Sequence, residues 1–506
     1  TCCGTEIAVP PFGTQIGQDI LGLPGDISGY SVSMSDDGNI MAIGAIKGGV
    51  GIFNVAAGLV RVFNWDGFSW NQLGQNIDGP TNGSGGANNE FGHSVSISGD
   101  GSIVAIGAPE YDQSGGSPAY AGLVQVYMYD GTSWNQIGQD LTGTNSFDYF
   151  GADVSLSNNG TTLAVGAPET GNGELSIYSY NGSTWIQKGQ TIVGSPAPNN
   201  GGDTWGNSVS ISSDGNTVAA GAKQNDGNGT QAGHVRIFNY DGSSWNQLGQ
   251  DIEGENNNDE FGWDVSINGD GSIIAISSAY GSYVKVFDCD GMSWNQIGNN
   301  ISSSANMFGK NLSLSDNGDF IGISSYADAY GYRNVNGVWS QEGQIYNGQI
   351  ESLCVNGDGT KLAIGNAYSG LGGYNSGHVR VYSLGTGTQY TSPPCSGCMD
   401  SLAINYDPYS LIDDGTCDYL GCTDSLAFNY DPIATIDDSS CIATVYGCMD
   451  STQFNYNALA NTDDGSCIAY IYGCTDSTQF NYNALANTDD GSCMAIAYGC
   501  TDSLAL

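Results

Sequence analysis

The sequence predicts an all-β protein: a seven-bladed β-propeller followed by a tandem array of small disulfide-stapled acidic modules. Three observations support this prediction. Short runs of alternating apolar and polar residues are joined by Asp-Gly turns, as in antiparallel strands. A unit with four such runs recurs seven times before residue 390. After that residue the composition changes abruptly, and a shorter repeat with two Cys begins.

Residues 91–143 show the first repeat most clearly. The four runs are Ser94–Ser98, Ile103–Ala108, Leu123–Tyr129 and Trp134–Asp140. Asp100-Gly101 joins the first two runs and Asp130-Gly131 joins the last two. Because Asp-Gly between such runs is a strong hairpin signal, the unit is predicted to be a four-stranded antiparallel meander.

The glycine of the first turn marks every copy of this unit. It recurs at Gly38, Gly101, Gly160, Gly215, Gly271, Gly318 and Gly359. Seven copies of a four-stranded unit at such a period indicate a β-propeller with one copy per blade. We place the propeller at residues 1–390.

The ring is expected to close through the N-terminal segment. The last run starts with Trp in six copies, at Trp70, Trp134, Trp185, Trp245, Trp294 and Trp339, but the seventh copy stops near Leu384 without this run. Gly13–Leu21 reads GTQIGQDIL and matches NQIGQDL at Asn135–Leu141. This segment is therefore predicted to complete the last blade, which removes the free sheet edge of an open array.

Two copies also carry a known signature. Phe91-Gly92 followed by AIGAP at 105–109, and Phe150-Gly151 followed by AVGAP at 164–168, resemble the FG-GAP repeat of integrin-α-type propellers. The resemblance covers roughly residues 12–384 and implies an extracellular propeller used for recognition or scaffolding. Many members bind calcium in an Asp-rich loop between the first two strands. Here that loop is as short as SGDG or NNG, so no calcium site is expected in the propeller.

A linker at 391–396 leads to the second repeat, at 397–417, 421–441, 447–467 and 473–493, with a partial copy at 499–506. The chain is expected to continue, since it stops within a copy. Each full copy holds two Cys, and a module this small needs a covalent staple. Pairing within modules would give Cys398–Cys417, Cys422–Cys441, Cys448–Cys467 and Cys474–Cys493. Pairing between modules, as in Cys467–Cys474, stays open, and Cys395 is expected to bridge to Cys2 or Cys3.

Each module also clusters oxygen-bearing side chains, the ligands that calcium requires. The modules resemble Cys- and Asp-rich repeats of surface proteins and, more loosely, thrombospondin type 3 calcium repeats, which implies a possible calcium site in each. The candidate ligands are Asp400, Asn405, Asp407, Asp413, Asp414; Asp424, Asn429, Asp431, Asp437, Asp438; Asp450, Asn455, Asn457, Asp463, Asp464; and Asp476, Asn481, Asn483, Asp489, Asp490. The alternative is that Asp-Asp-Gly is a turn and Asn-Tyr-Asn a loop, both built on Asx hydrogen bonds.

Other features of the sequence argue against several functions. The net charge of −42 opposes binding to nucleic acid, and no apolar run is long enough to span a membrane. His234 and His378 occupy the position that Leu59 and Leu123 hold in other blades, which predicts an architectural role for both and neither a catalytic nor a metal-binding one. The six Trp could stack on sugars or pack between blades, and repetition favours packing, whereas Trp205 and Trp263 are expected to differ from the core. No catalytic set of side chains emerges, so the protein is not expected to be an enzyme.

These observations predict an extracellular or cell-surface protein with a structural or adhesive role. The propeller would be a head, and the modules a calcium-stabilised stalk. A filament or appendage subunit is a specific form of this hypothesis. The expected partners are copies of the chain itself, other surface proteins or glycans. The alternative is a glycan- or protein-binding propeller displayed on an acidic stalk.

Overall fold

The structure, a computed structural model, describes residues 12–48, 57–80, 89–112, 118–169, 171–195, 203–346, 348–384, 396–397, 403–405, 412–413 and 416–499. The chain divides into two compact units, residues 8–388 and residues 1–7 with 389–506. The described residues form strands and turns without helices, as the predicted all-β class requires. None of them forms a helix long and apolar enough to cross a membrane.

Seven antiparallel sheets form the blades of the first unit, numbered here in chain order. Blade 1 holds Ser28–Met34, Ile40–Ala45, Leu59–Trp65, Trp70–Gln72 and Ile77–Asp78. Blade 2 holds Val95–Ile97, Ile103–Ala108, Leu123–Tyr129, Trp134–Gln136 and Leu141–Thr142. Blade 3 holds Val154–Leu156, Thr162–Ala167, Glu174–Tyr180, Trp185–Gln187 and Ile192–Val193. Blade 4 holds Trp205–Ile211, Thr217–Ala222, His234–Tyr240, Trp245–Gln247 and Ile252–Glu253.

The later blades follow the same plan. Blade 5 holds Val265–Ile267, Ile273–Ser278, Tyr283–Cys289, Trp294–Gln296 and Ile301–Ser302. Blade 6 holds Leu312–Leu314, Phe320–Ser324, Asp328–Val335 and Val338–Tyr346. Blade 7 holds Ser352–Val355, Lys361–Asn366 and His378–Ser383, completed by Thr14–Gln15 and Ile20–Leu21. The predicted seven-bladed propeller is confirmed.

The predicted closure through the N-terminus is also confirmed. Thr14–Gln15 pairs with Ser383 and Tyr382, and Ile20–Leu21 pairs with Val379 and His378. The outer strand is not the single run that the sequence predicts, however. In blade 2 it breaks between Gln136 and Leu141, where Gly138 has a φ of 72°. A left-handed residue interrupts a strand, and glycine adopts that conformation without strain.

The repeated Trp residues pack between neighbouring blades. Trp134 is 3% exposed and its indole donates a hydrogen bond to the Leu73 carbonyl of blade 1 at 2.9 Å. Gln75 of blade 1 clamps the same Trp, because its side chain bonds both the Trp134 N–H and the Trp134 carbonyl. The same clamp joins Gln18 to Trp70, Gln139 to Trp185, Gln190 to Trp245 and Gln250 to Trp294. The packing interpretation is therefore confirmed, and the sugar-stacking alternative is wrong for these Trp residues.

A second set of bonds joins the innermost strands around the central channel. A serine hydroxyl on one blade accepts a hydrogen bond from a backbone N–H on the next, as Ser96 does from Leu156 at 2.9 Å. The other serines in this role are Ser33, Ser155, Ser210, Ser266 and Ser313. These six serines join blades 1 to 7 in order. Cys354 takes the same position in blade 7 and accepts from the Met34 N–H of blade 1, so the seven blades form one hydrogen-bonded ring.

The acidic modules are small and stapled. Disulfides join Cys422 to Cys441, Cys448 to Cys467, and Cys474 to Cys493, each across 19 residues. Pairing within modules is thus confirmed for these three. Cys417 is also in a disulfide, whereas Cys398, Cys395, Cys2 and Cys3 lie outside the described residues. Short parallel pairs brace the modules: Ser396–Gly397 with Ile412–Asp413, Leu420–Gly421 with Ile436–Asp437, and Tyr446–Gly447 with Thr462–Asp463.

Candidate functional site

One position differs between blades while its surroundings repeat. In blades 1 to 6 it follows the glycine of the Phe-Gly element or its equivalent, at the entrance to the central channel. Its occupants are Tyr30, His93, Ala152, Asn207, Trp263 and Lys310, and Glu351 takes this place in blade 7. We call these seven residues the rim ring. A position that changes from blade to blade is not needed for the fold, so the rim ring is the candidate site.

The rim ring surrounds one polar cavity. All seven residues line a space of about 480 Å³ that we call the funnel. Below them lie Ser94, Asp153, Ser208, Asp264 and Asn311 on the walls of the channel. A concave site with several converging polar groups is the usual form of a ligand pocket.

Two wall carboxylates join three blades each. Asp153 accepts hydrogen bonds from the Ser94 hydroxyl at 2.8 Å and from the Val209 N–H at 2.7 Å, besides its own strand. Asp264 does the same with Ser208 and Leu312. Burial raises the pKa of Asp153 to about 6 and that of Asp264 to about 7. These hydrogen bonds make the two carboxyls part of the ring, and their pKa values make the funnel sensitive to pH.

Aromatic rings follow one side of the funnel. The Trp263 ring meets Tyr280 edge-on, with centroids 5.6 Å apart, and the Lys223 ammonium lies 4.3 Å from the Trp263 centroid. Tyr280, Tyr326 and Tyr368 are 61%, 42% and 41% exposed. These rings come from blades 5, 6 and 7, and Tyr30 of blade 1 continues them. We call Trp263, Tyr280, Tyr326, Tyr368 and Tyr30 together the aromatic arc.

The opposite side is acidic. A groove of about 440 Å³ adjoins the funnel, with which it shares His93 and Ala152. Its walls are the three carboxylates Glu90, Glu110 and Glu169 and the apolar or aromatic residues Pro109, Phe147, Tyr149 and Pro168. Glu90 also contacts the His93 ring at 3.1 Å. The upper face therefore offers flat aromatic surface on one side and carboxylates on the other.

The sequence predicts that Trp205 and Trp263 differ from the core, and this prediction is correct for one of the two. Trp263 lies on the rim, as expected for a residue outside the core. The expectation for Trp205 is wrong, because this side chain is fully buried and its indole donates to the Ile192 carbonyl. It replaces Phe in the Phe-Gly element and fills the same core position.

The proposed calcium ligands have other hydrogen-bond roles. Asn429, Asn455 and Asn481 each hold a loop closed by donating to a carbonyl and accepting an N–H, and Asn405 does the same. The remaining described side chains each accept from a nearby backbone N–H: Asp424, Asp431, Asp437, Asp438, Asp450, Asn457, Asp463, Asp464, Asp476, Asn483, Asp489 and Asp490. These are the Asx bonds of the alternative interpretation. Asp400, Asp407, Asp414 and the side chain of Asp413 lie outside the described residues.

The rim ring was missed by sequence reasoning, although the sequence held a signal for it. Aligning the units on their Phe-Gly elements would have shown one position that never repeats, directly after a glycine that repeats in six blades. What the alignment could not show is that these residues meet around one cavity.

No protein-family model and no curated protein matches the chain. A solved structure that resembles it is a functionally unknown protein from Desulfotomaculum acetoxidans DSM 771, at 15% identity and a TM-score of 0.44. The match covers 62% of this chain and 86% of that one. The resemblances to FG-GAP and thrombospondin type 3 repeats stay predictions from the sequence.

Proposed function

We propose that this protein is an extracellular adhesive surface protein, in which the propeller is the recognition head and the modules are the stalk. The rim ring carries this proposal. Seven blades of one design present seven different side chains around one funnel, which is the arrangement expected where the fold is fixed and a ligand sets the remaining positions.

The chemistry of the upper face favours a glycan as the ligand. The exposed rings of Tyr280, Tyr326 and Tyr368 and the partly buried ring of Trp263 provide flat surfaces for the C–H faces of a sugar. Their polar edges tolerate water. Asn207, Lys310 and Glu351 supply donors and acceptors for hydroxyl groups beside them. The net charge of −42 disfavours anionic polymers. We therefore expect a neutral or amino-substituted oligosaccharide.

The modules suit a stalk because each connector is bonded to the modules on both sides. Between the second and third modules, Ile442 donates to Asn429 at 2.7 Å and Val445 donates to Asn461 at 2.8 Å. The connector between the third and fourth modules repeats both bonds, through Ile468 and Ile471. Disulfides in series are compatible with an extracellular location, which is part of this proposal.

A filament or appendage subunit is the more specific form of the proposal, with copies of the chain as partners. The N-terminal strands complete their own blade 7, so a polymer would use other surfaces. Negative-stain images of the chain, with calcium and with chelator, test this form. Ordered filaments support it, and separate particles under both conditions contradict it.

Binding to a panel of immobilised oligosaccharides tests the recognition role. We expect Trp263→Ala to weaken binding at least tenfold, about 1.4 kcal/mol, because it removes the Trp ring of the aromatic arc. Phe68→Ala is the matched control, since Phe68 is 89% exposed but lies in a hairpin turn of the lower face. Equal binding by both variants would contradict the proposed site. Capture of a protein instead of any oligosaccharide would replace the glycan by a protein ligand.

A further inference from the structure

Buried polar atoms without a hydrogen-bond partner are concentrated in blade 4. Of the eight such side-chain atoms among the described residues, four belong to one cluster: Asp203 Oδ1, His234 Nε2, Arg236 Nε and Glu253 Oε2. The four residues are neighbours. Asp203 and Glu253 both act on the charge of Arg236, and His234 and Arg236 both contact the Trp205 ring. Native proteins pair nearly all buried polar groups, and exceptions often mark a bound ion or water.

Two side chains of this cluster, His234 and Glu253, converge with a third side chain, that of Asp251. His234 lies opposite Glu253 in adjacent strands, and Asp251 precedes Glu253 by two residues. One ring nitrogen of His234 and one oxygen from each carboxylate lie within 4.8 Å of one another. Within the described ranges, this is the one group of three His, Cys, Asp or Glu side chains that meets this condition. His234 is 2% exposed, so the site has a buried nitrogen at its base.

Blade 7 provides an internal comparison because it repeats the sequence Gly-His-Val-Arg. There, Arg380 binds both oxygens of Asp19, each at 2.8 Å. In blade 4 the corresponding Arg236 instead lies over the Trp205 ring, 4.3 Å from its centroid. Asp251, which corresponds to Asp19, therefore forms no ion pair with Arg236.

The second difference between the two blades is an added carboxylate. Glu253 stands in blade 4 where blade 7 has Leu21. Three carboxylates, of Asp203, Asp251 and Glu253, thus surround one guanidinium, which leaves a charge of about −2 when all are ionised. A divalent cation would balance this charge.

The ligand set also selects the kind of cation. His234 is 2% exposed and its Nε2 is buried without a hydrogen-bond partner, and a neutral imidazole nitrogen is a common metal ligand. An imidazole nitrogen with two carboxylates suits zinc and similar ions, whereas calcium takes oxygen ligands.

We propose that His234, Asp251 and Glu253 form a binding site for a divalent ion of the zinc class in blade 4. Asp203 and Arg236 set the charge around it. His234 stands at a position that repeats in blade 7 as His378, so its place in the strand belongs to the architecture, as the sequence predicted. The metal role comes from Glu253 and from the position of Arg236, which blade 7 does not share.

Zinc binding to the chelator-treated full chain, measured by equilibrium dialysis, tests this site, with Co²⁺ absorption as a second readout. We expect Glu253→Leu, which installs the residue of blade 7, to remove one bound zinc or weaken it at least tenfold. His234→Leu should do the same, and blades 1 and 2 carry Leu at this position, at Leu59 and Leu123. The Co²⁺ bands that report a nitrogen ligand should vanish in both variants.

His378→Leu in blade 7 is the matched control and should bind zinc like the wild type. The proposal is overturned if wild type binds no zinc, or if Glu253→Leu binds as much zinc as tightly as wild type does. The Glu253 variant decides the matter even if His234→Leu fails to fold, because Glu253 is only partly buried.

Discussion

The propeller and the module array are stabilised by different means. In the described part of the propeller, Cys289 and Cys354 are free thiols, and stability comes from apolar cores between blades and from the ring of hydrogen bonds. In the described part of the array, the buried hydrophobic residues are Ala403 and the half-cystines Cys422, Cys448 and Cys474. The disulfide is thus most of the core of a module. A large closed fold needs no staple, and a very small one depends on it.

Removing the closing strands should have the largest effect on the propeller. Deletion of residues 12–21 takes away the partner of His378–Ser383 and exposes its edge. We expect loss of several kcal/mol of stability and aggregation, since Ile20 and the Trp70 clamp are lost together. Thermal unfolding and light scattering measure this. An unchanged midpoint would show that the ring does not depend on closure.

Breaking one disulfide should unfold one module and spare the propeller. Cys448→Ser with Cys467→Ser is expected to cost about 2–5 kcal/mol, more than a module with so few buried residues can lose. Limited proteolysis would then cut the third module, while the unfolding midpoint of the propeller stays in place. Cys289→Ser, at a free thiol of the propeller, should leave both unchanged. Resistance of the double variant to proteolysis would contradict this dependence.

The Gln–Trp clamp can be tested in both directions. Gln250→Asn shortens a clamp that bonds Trp294 twice, and we expect it to cost about 1–2 kcal/mol. At the next junction the Gln is naturally Asn299, whose side chain is one methylene shorter and faces Trp339 in place of Trp294. Asn299→Gln should therefore stabilise the propeller by about 0.5–1 kcal/mol. Denaturant unfolding measures both changes, and equal signs would refute the clamp.

The two regions should respond to pH in opposite directions. Asp153 and Asp264 have folded pKa values of about 6 and about 7, against about 3.9 in the unfolded chain. Their contribution to propeller stability is present below about pH 4 and is lost as the pH rises to about 7, on the order of 3 kcal/mol for Asp153 and 4 kcal/mol for Asp264. Hydrogen bonds lower the pKa of Asp450 and Asp464, so the modules lose stability as the pH falls.

Thermal unfolding at several pH values measures this contrast. Asp264→Asn, which installs the residue that Asn311 provides in blade 6, should flatten the pH dependence of the propeller. A propeller that gains stability from about pH 5 to about pH 8 would contradict the assignment.

Calcium should have the smallest effect. We expect it to raise the unfolding midpoint of the modules by a few degrees at most, because disulfides and Asx bonds already hold the loops. Calorimetry with calcium and with chelator tests this, and Asp463→Asn with Asp464→Asn should remove the contribution of the third module to the difference. Modules that unfold on chelation would make calcium, rather than the disulfide, the main stabilising element.

Repetition explains how much of this fold the sequence predicts. Blade number, ring closure and the packing of Trp134 and its equivalents all follow from patterns that occur several times. The break of the outer strand at Gly138 was visible as a glycine inside an alternating run, but its effect depends on a φ of 72°. Trp205 looked different from the core because Phe stands at this position in other blades, yet the core accommodates it.

The sites depend on contacts between distant parts of the chain, so the sequence could not predict them. His234 and Glu253 meet because two strands pair in one register. In the sequence, Asp153 is one polar residue of an alternating run. Only in the closed ring does it lie beside Val209, from whose N–H it accepts a hydrogen bond. The rim ring likewise exists only once seven blades share an axis.

The most direct test of the account is to measure glycan binding by the two units separately. Residues 8–388 and residues 389–506 would each be titrated with an oligosaccharide that the full chain binds. We predict that the propeller fragment binds with the affinity of the full chain and that the module fragment does not bind. Binding by the modules, or loss of binding by the propeller alone, would contradict the division into a recognition head and a stalk.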